Sequence, residues 1–298
     1  MNSETQTSTI RRIGFIGLGV MGGAMCRNII RQARFESVTL LDSNPFAIQA
    51  VLAVGGHAAS DLKTLVLQSD AIVLSLPDGK ISASVMDQLL PLLKPGQLVM
   101  DTSTVPVQLA LEQSKRCEAV DVYYLDAPVA RTREAAETGT LSAMVGGSGV
   151  AFALAMPILR CIASDITHCG PAGSGQVVKI LNNMVLFQTV NALSEAITIA
   201  ERAGVSATLL ADVFSIASAD SFALRNHGRK SLVPGIFPER AFSTTYARKD
   251  NRYALELAHQ VGVNARGAQL MEAVFNEAVD AGLSDQYFPV IHRLHGKV

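Results

Sequence analysis

Ile13-Gly-Phe-Ile-Gly17-Leu-Gly19-Val-Met-Gly22 is a short apolar run that ends in a G-x-G-x-x-G loop and leads directly into a helical pattern. In that setting each glycine has a physical task. The first allows a tight turn, the second lets the backbone approach a pyrophosphate, and the third lets the helix pack closely on the strand. The helix start adds unpaired N–H groups and a partial positive charge, which suit phosphate. Gly17, Leu18, Gly19, Val20, Met21 and Gly22 are therefore the candidate cofactor loop. Asp42 follows twenty residues after Gly22, at the end of the next predicted strand. An acid there accepts hydrogen bonds from the adenosine ribose and repels a 2′-phosphate, which points to NAD. Asp42 also suits capping of the helix predicted at Asn44-Pro45, and the two roles are compatible.

Outward from this loop, β-branched runs alternate with helical patterns as far as Gly170, the mark of a mostly parallel, helix-covered sheet. Strands are predicted at Ile13–Ile16, Val38–Asp42, Ala71–Leu76, Leu98–Asp101, Val122–Asp126 and Leu141–Val145. Helices are predicted near Val20–Ala33, Pro45–Val54, Ile81–Leu93, Pro106–Cys117 and Val150–Ile162. After the turn-rich Cys169-Gly-Pro-Ala-Gly-Ser-Gly175 the strand-like runs stop, and one helical stretch runs from Gln176 to Ala203. It is apolar nearly all round, so it is expected to be buried on several sides and to favour a homodimer or homotetramer. Further helices are predicted near Ser206–Ala217, Thr245–Val261 and Arg266–Ala281. The fold class is thus α/β: a tail over 1–10, a doubly wound Rossmann-type domain over 11–171, and an all-α domain over 172–298 built on one long helix.

The 298 residues are 49% apolar and carry a formal net charge of −1. That is enough apolar material for two cores, with no electrostatic footprint for nucleic acid or an anionic membrane. The polar start has no signal-peptide character and no apolar stretch reaches spanning length, so a cytoplasmic protein acting on a small anionic molecule is expected. Cys26, Cys117, Cys161 and Cys169 show no C-x-x-C spacing. Neither they nor the six histidines have metal-ligand spacing, and no metal is expected.

Lys179, Asn182 and Asn183 interrupt the apolar helix near its start and project toward one side of it. Unpaired in an apolar setting each would cost roughly 2–7 kcal/mol, so they imply a polar cleft. A lysine facing a carbonyl oxygen can donate the proton that hydride addition requires, once burial or a positive nicotinamide lowers its pKa. The alternative is a lysine whose stem lies on the protein and whose head reaches solvent.

Gly14 to Gly22, Asp101-Thr-Ser-Thr104, Asp126-Ala-Pro-Val129, Gly139-Thr-Leu141 with Met144-Val-Gly-Gly147, Gly173-Ser-Gly-Gln-Val-Val-Lys-Ile-Leu-Asn-Asn183 and Lys249-Asp250 occur in order. Together they resemble the β-hydroxyacid dehydrogenase family, over nearly the whole chain. The resemblance implies an NAD-dependent oxidoreductase in which Lys179 is the catalytic acid/base and Asn183 orients the substrate. It also implies that Leu76, Pro77, Ser103 and Thr104 lie along the cofactor toward the nicotinamide, and that Lys249 reaches it from the helical domain. Ser103 and Asn182 join the expected substrate residues.

One departure bears on specificity. Where most members follow Pro-Val with Ser-Gly-Gly, which holds a substrate carboxylate, this chain has Ala130-Arg131-Thr132. Ala130 cannot donate a side-chain hydrogen bond, whereas Arg131 offers a planar charged fork. The loop resembles that of 3-sulfolactaldehyde reductases, which implies a sulfonated or bulkier acid. An ion pair of Arg131 with Glu134 or Glu137 is the structural alternative. Ser218, Ser221 and Phe222 either border the substrate or form a plain turn. Tartronate semialdehyde, glyoxylate and succinic semialdehyde reductases and imine reductases share the two-domain plan, and an inactive dinucleotide-binding sensor is the non-enzymatic alternative. Lys179 argues against the imine reductases, which commonly carry Asp or Tyr there.

Overall fold

The computed structural model describes residues 10–239 and 241–295, so all of the expected tail except Ile10 lies outside the described residues. The chain runs β1 (Arg12–Ile16), α1 (Val20–Arg31), β2 (Ser37–Leu41), α2 (Pro45–Leu52), β3 (His57–Ala58), α3 (Leu62–Leu67), β4 (Ala71–Leu74) and α4 (Gly79–Leu89). It continues through β5 (Leu98–Asp101), α5 (Val107–Glu118), β6 (Tyr123–Asp126), β7 (Val129–Ala130), α6 (Arg133–Thr138), β8 (Leu141–Gly147), α7 (Gly149–Ile162) and β9 (Ala163–Gly170). The remaining helices are α8 (Ser174–Arg202), α9 (Ala207–Phe214), a π-helical segment Leu224–Leu232, α10 (Thr244–Gln260), α11 (Arg266–Asp280) and a 3-10 segment Phe288–Leu294. Contacts divide the chain into two compact units inside α8, between Lys179 and Ile180.

In the first unit the strand order is β3-β2-β1-β4-β5-β6-β8-β7, with β9 on β8. Pairing is parallel from β3 to β6, so the order 3-2-1-4-5-6 is that of a doubly wound nucleotide-binding sheet. β4 reads Ala-Ile-Val-Leu and is buried at every position, as a strand covered on both faces requires. Side chains of Asn44, Asp61, Asp78, Thr132 and Ser148 cap α2, α3, α4, α6 and α7, each contributing about 1 kcal/mol. The order reverses between β1 and β4, so the loops after β1, β4 and β5 share the carboxyl edge where such sheets bind ligands.

The sheet extends further than the sequence pattern indicates. β8 pairs antiparallel with β6 and β7, and parallel with β9. β9 reads Ala-Ser-Asp-Ile-Thr-His-Cys-Gly and is largely exposed, so it lacks the β-branched run that marks the inner strands.

The second unit is helical apart from two isolated bridges among its described residues. Phe187 of α8 packs edge-on against Phe275 and Phe288, with ring centroids 5.3 Å apart in both pairs. The core stripe of α8 runs through Ile180, Phe187, Val190, Leu193 and Ile197, while Val178, Leu181, Val185 and Ile199 are exposed on this single chain. Burial of α8 on several sides is therefore not what one chain provides, because its apolar residues exceed one packing face. Among the described residues no helix is long and apolar enough to cross a membrane.

Candidate active site

The loop after β1 has the geometry a dinucleotide requires. Gly17 adopts φ +92°, and a Cβ there would lie 2.2 Å from the Ser75 carbonyl oxygen. A Cβ on Gly22 would lie 2.1 Å from the Gly17 carbonyl oxygen, so both positions require glycine. At Gly19 a Cβ would meet nothing within 4 Å, which leaves the backbone open to an approaching group. Gly19 also begins α1 without a side-chain cap, and no acid stands in the first turn, so the helix N-terminus is suited to phosphate. Leu18 is buried and takes part through its N–H, which donates to the Asp42 carboxylate; Val20 is exposed beside it. The other Asp42 oxygen accepts the Asn44 N–H at 2.7 Å. The cap of α2 is Asn44, whose Oδ1 accepts the Phe46 N–H at 3.0 Å, so the capping role considered for Asp42 falls to its neighbour.

The loops after β4 and β5 are fastened together. The Leu76 N–H donates to Ser103 Oγ at 2.8 Å, and the Ser103 N–H donates to Asp101 Oδ1 at 2.9 Å. Ser82 donates to the other Asp101 oxygen at 2.7 Å. Ser103 is buried, Thr104 half-buried and Pro77 exposed. From α8, the Gln176 amide donates to the Ser103 carbonyl at 2.8 Å and accepts the Val105 N–H at 3.1 Å. Asp126, at the end of β6, accepts the N–H groups of Gly173 and Gln176 at 2.7 and 2.8 Å. Burial pushes its carboxyl up to about 6, against the pull of these two donors. Gly146 and Gly175 leave room for it, since a Cβ on either would come within 3 Å of an Asp126 oxygen.

Lys179 and Asn183 are 8% and 2% exposed and lie on one face of α8. A lysine reaching out to solvent is thus excluded in this fold. Asn183 Nδ2 donates to Asp250 Oδ2 at 2.7 Å, and Lys249 Nζ lies 3.0 Å from Asp250 Oδ1. Lys249 Nζ also sits 5.1 Å from the Tyr253 ring centroid and 5.8 Å from that of Tyr246. Asn182 differs from the polar cleft expected of it: it is exposed, and its Nδ2 donates to Asn183 Oδ1 at 3.1 Å. Gln176, Asp126 and Asp250 were not singled out in the sequence. All three stand inside motifs quoted above, but Ser103 for Gln176, Gly173 for Asp126 and Asn183 for Asp250 are partners far away along the chain.

Arg131 adopts φ +89°, a region that favours glycine. Its Nη1 donates to the Thr140 carbonyl at 2.7 Å and to Ser164 Oγ at 2.9 Å, and its Nη2 lies 2.8 Å from Asp165 Oδ2. The Ser164 hydroxyl first, then Arg131, hold the Asp165 carboxyl below its usual range. Arg131 thus makes an ion pair with Asp165 of β9, and Glu137 pairs instead with Arg27 at 2.8 Å. Thr132 Oγ1 accepts the Ala135 N–H at 3.4 Å as the cap of α6, and Ala130 pairs with Ser142 in the sheet. Ser221 Oγ accepts the Leu224 N–H at 3.0 Å where the π-helical segment begins, and Phe222 is exposed beside it. Among the described residues no three His, Cys, Asp or Glu side chains could hold a metal.

Comparison with known proteins shows the family. Residues 12–170 match the family model of the NAD binding domain of 6-phosphogluconate dehydrogenase. Residues 173–294 match that of the NAD-binding of NADP-dependent 3-hydroxyisobutyrate dehydrogenase. The chain is 31% identical over 276 residues to a 2-(hydroxymethyl)glutarate dehydrogenase of Eubacterium barkeri, covering 91% of this chain and 90% of that one. It is 32% identical over 294 residues to a probable 3-hydroxyisobutyrate dehydrogenase of Mycobacterium bovis, covering 96% and 98%. A solved Mycobacterium tuberculosis 3-hydroxyisobutyrate dehydrogenase with L-serine aligns with a TM-score of 0.87 at 31% identity, over 96% of this chain and 99% of that one.

Proposed function

We propose a reaction for this chain from one premise: it belongs to the β-hydroxyacid dehydrogenase family and is an NAD-binding hydroxyacid dehydrogenase of the 3-hydroxyisobutyrate dehydrogenase type. The reaction interconverts the alcohol of a small β-hydroxyacid with its aldehyde or ketone. The bound dinucleotide supplies the two-electron acceptor. Gly17 to Gly22 hold its pyrophosphate at the start of α1, Asp42 takes the adenosine ribose and sets a preference for NAD, and Leu76, Pro77, Ser103 and Thr104 flank the nicotinamide. Lys249 supplies a positive charge to the cofactor. Lys179 takes the hydroxyl proton in oxidation and returns it to the carbonyl oxygen in reduction. Asn183 orients the substrate oxygen beside it, with its amide turned by Asp250. The observation that carries this reading is the buried face of α8, which presents Lys179 and Asn183 one turn apart.

Arg131 holds the anionic end of the substrate, a sulfonate or other bulky acid. A guanidinium has five N–H donors, more than its contacts to Thr140, Ser164 and Asp165 consume. The Asp165 pair also favours a second reading, in which Arg131 only braces the loop. Lys179→Ala is expected to lower kcat by roughly 10²–10⁴ with NADH affinity kept. The assay is NADH-linked turnover of carboxylated and sulfonated C3 and C4 aldehydes. A Lys179→Ala enzyme retaining more than half of wild-type kcat would show that another group carries the proton. The exposed Val178, Leu181, Val185 and Ile199 support a homodimer or homotetramer through the helical domain.

A further inference from the structure

We infer that Gln176 is a positioning residue for the reaction: its buried amide locks the Ser103-Thr104-Val105 loop to the turn of α8 that carries Lys179. This rests on the reading of Lys179 as the acid/base. Gln176 is fully buried, and both ends of its amide are spent on one short loop, the nitrogen on the Ser103 carbonyl and the oxygen on the Val105 N–H. Burying a glutamine amide costs desolvation, which an apolar side chain of similar length avoids. What the amide adds is geometry. Two antiparallel contacts to residues two apart fix the loop against the helix in position and in rotation, as a single contact cannot. Lys179 is three residues on and on the same buried face.

The lock extends in both directions. Ser103 Oγ accepts the Leu76 N–H, so the loop after β4 moves with the loop after β5. Asp126 holds the Gln176 and Gly173 N–H groups, so the start of α8 moves with β6. The loops assigned to the nicotinamide and the lysine assigned to the proton thus share one frame, and Gln176, beside Asp126, is a side chain that joins its two halves. Slack at this joint displaces Lys179 from the reacting oxygen without removing any group that touches substrate. A displacement of about 1 Å can cost about a hundredfold in rate.

The test is Gln176→Met, which keeps length and apolar volume and removes both hydrogen bonds. In the free enzyme, hydrogen exchange at the Val105 amide is expected to accelerate. In turnover of 3-hydroxyisobutyrate with NAD, or of whichever panel acid is fastest, kcat is expected to fall roughly ten- to hundredfold. KM and the NADH dissociation constant, read by fluorescence, stay near wild type, and the primary deuterium isotope effect rises as hydride transfer becomes rate-limiting. A merely structural glutamine lowers the melting temperature and leaves the kcat of the folded fraction and its isotope effect unchanged, which overturns the inference. If Gln176→Met does not fold, Gln176→Asn keeps donor and acceptor on a shorter stem and is read in the same way. Lys179→Ala is run in parallel. Its collapse beside a wild-type Gln176→Met sinks the positioning role alone, whereas an active Lys179→Ala sinks the acid/base assignment on which that role rests.

Discussion

Replacing Arg131 by glycine separates recognition from scaffolding, because the backbone at this position already has a glycine's conformation. Arg131 sits at φ +89°, where a non-glycine residue costs on the order of 1 kcal/mol or more. Arg131→Ala keeps that strain and deletes the contacts to Thr140, Ser164 and Asp165, whereas Arg131→Gly deletes the contacts and relieves the strain. The glycine variant is therefore expected to be more stable than the alanine variant by about 1 kcal/mol. If Arg131 grips the substrate anion, both variants lose a charge-assisted bond of about 1.5–3 kcal/mol, a roughly ten- to hundredfold loss in kcat/KM. The assay pairs thermal denaturation with kinetics on the best acid and on the same molecule lacking its anionic group. Arg131→Gly should match wild type on the uncharged molecule and fail on the anion. Equal damage to both substrates, or a glycine variant that regains activity together with stability, refutes anion recognition and leaves Arg131 as a brace between the Val129–Ala130 strand and β9.

Wild-type enzyme is expected to prefer NAD over NADP in kcat/KM, and Asp42→Asn to narrow that preference by removing the repulsion of a 2′-phosphate; a tenfold preference for NADP in the wild type would overturn the role of Asp42. The helical unit should lose stability in mild acid, because burial first and the Lys230 charge second lower His227 from its ordinary 6.5 to about 4. The unfolded chain then binds the proton first, so about 3 kcal/mol present above pH 6.5 is lost progressively as the pH falls toward 4. Asp126, raised to about 6, acts in the opposite sense in the first unit, its contribution fading as pH rises from 3.8 to about 6. Melting curves of His227→Phe between pH 4 and 7 should lack the acid-side loss, and an unchanged slope would rule out His227 as its source.

Near neighbours along the chain determined much of this protein. The glycine loop, the acid after the second strand, the alternation of strand and helix and the lysine–asparagine pair are patterns within a few residues, set by steric and periodic rules that hold before the chain is packed. They were sufficient for the doubly wound sheet, the helical second domain and the candidate residues Lys179 and Asn183. β9 escaped because an exposed, polar edge strand has no hydrophobic period to read. Which atoms meet was decided by tertiary structure alone. Arg131 finds its hydroxyl partner Ser164 across 33 residues, Asn183 finds Asp250 across 67, and Gln176 finds Ser103 across 73. No local rule selects such partners. A guanidinium is equally suited to Glu134, Glu137 or Asp165, and β8–β9 pairing places Asp165 within reach. Burial was settled in the same way: the sequence left Lys179 either in solvent or inside, and only the packing of α8 determined that Lys179 is enclosed and Asn182 is not.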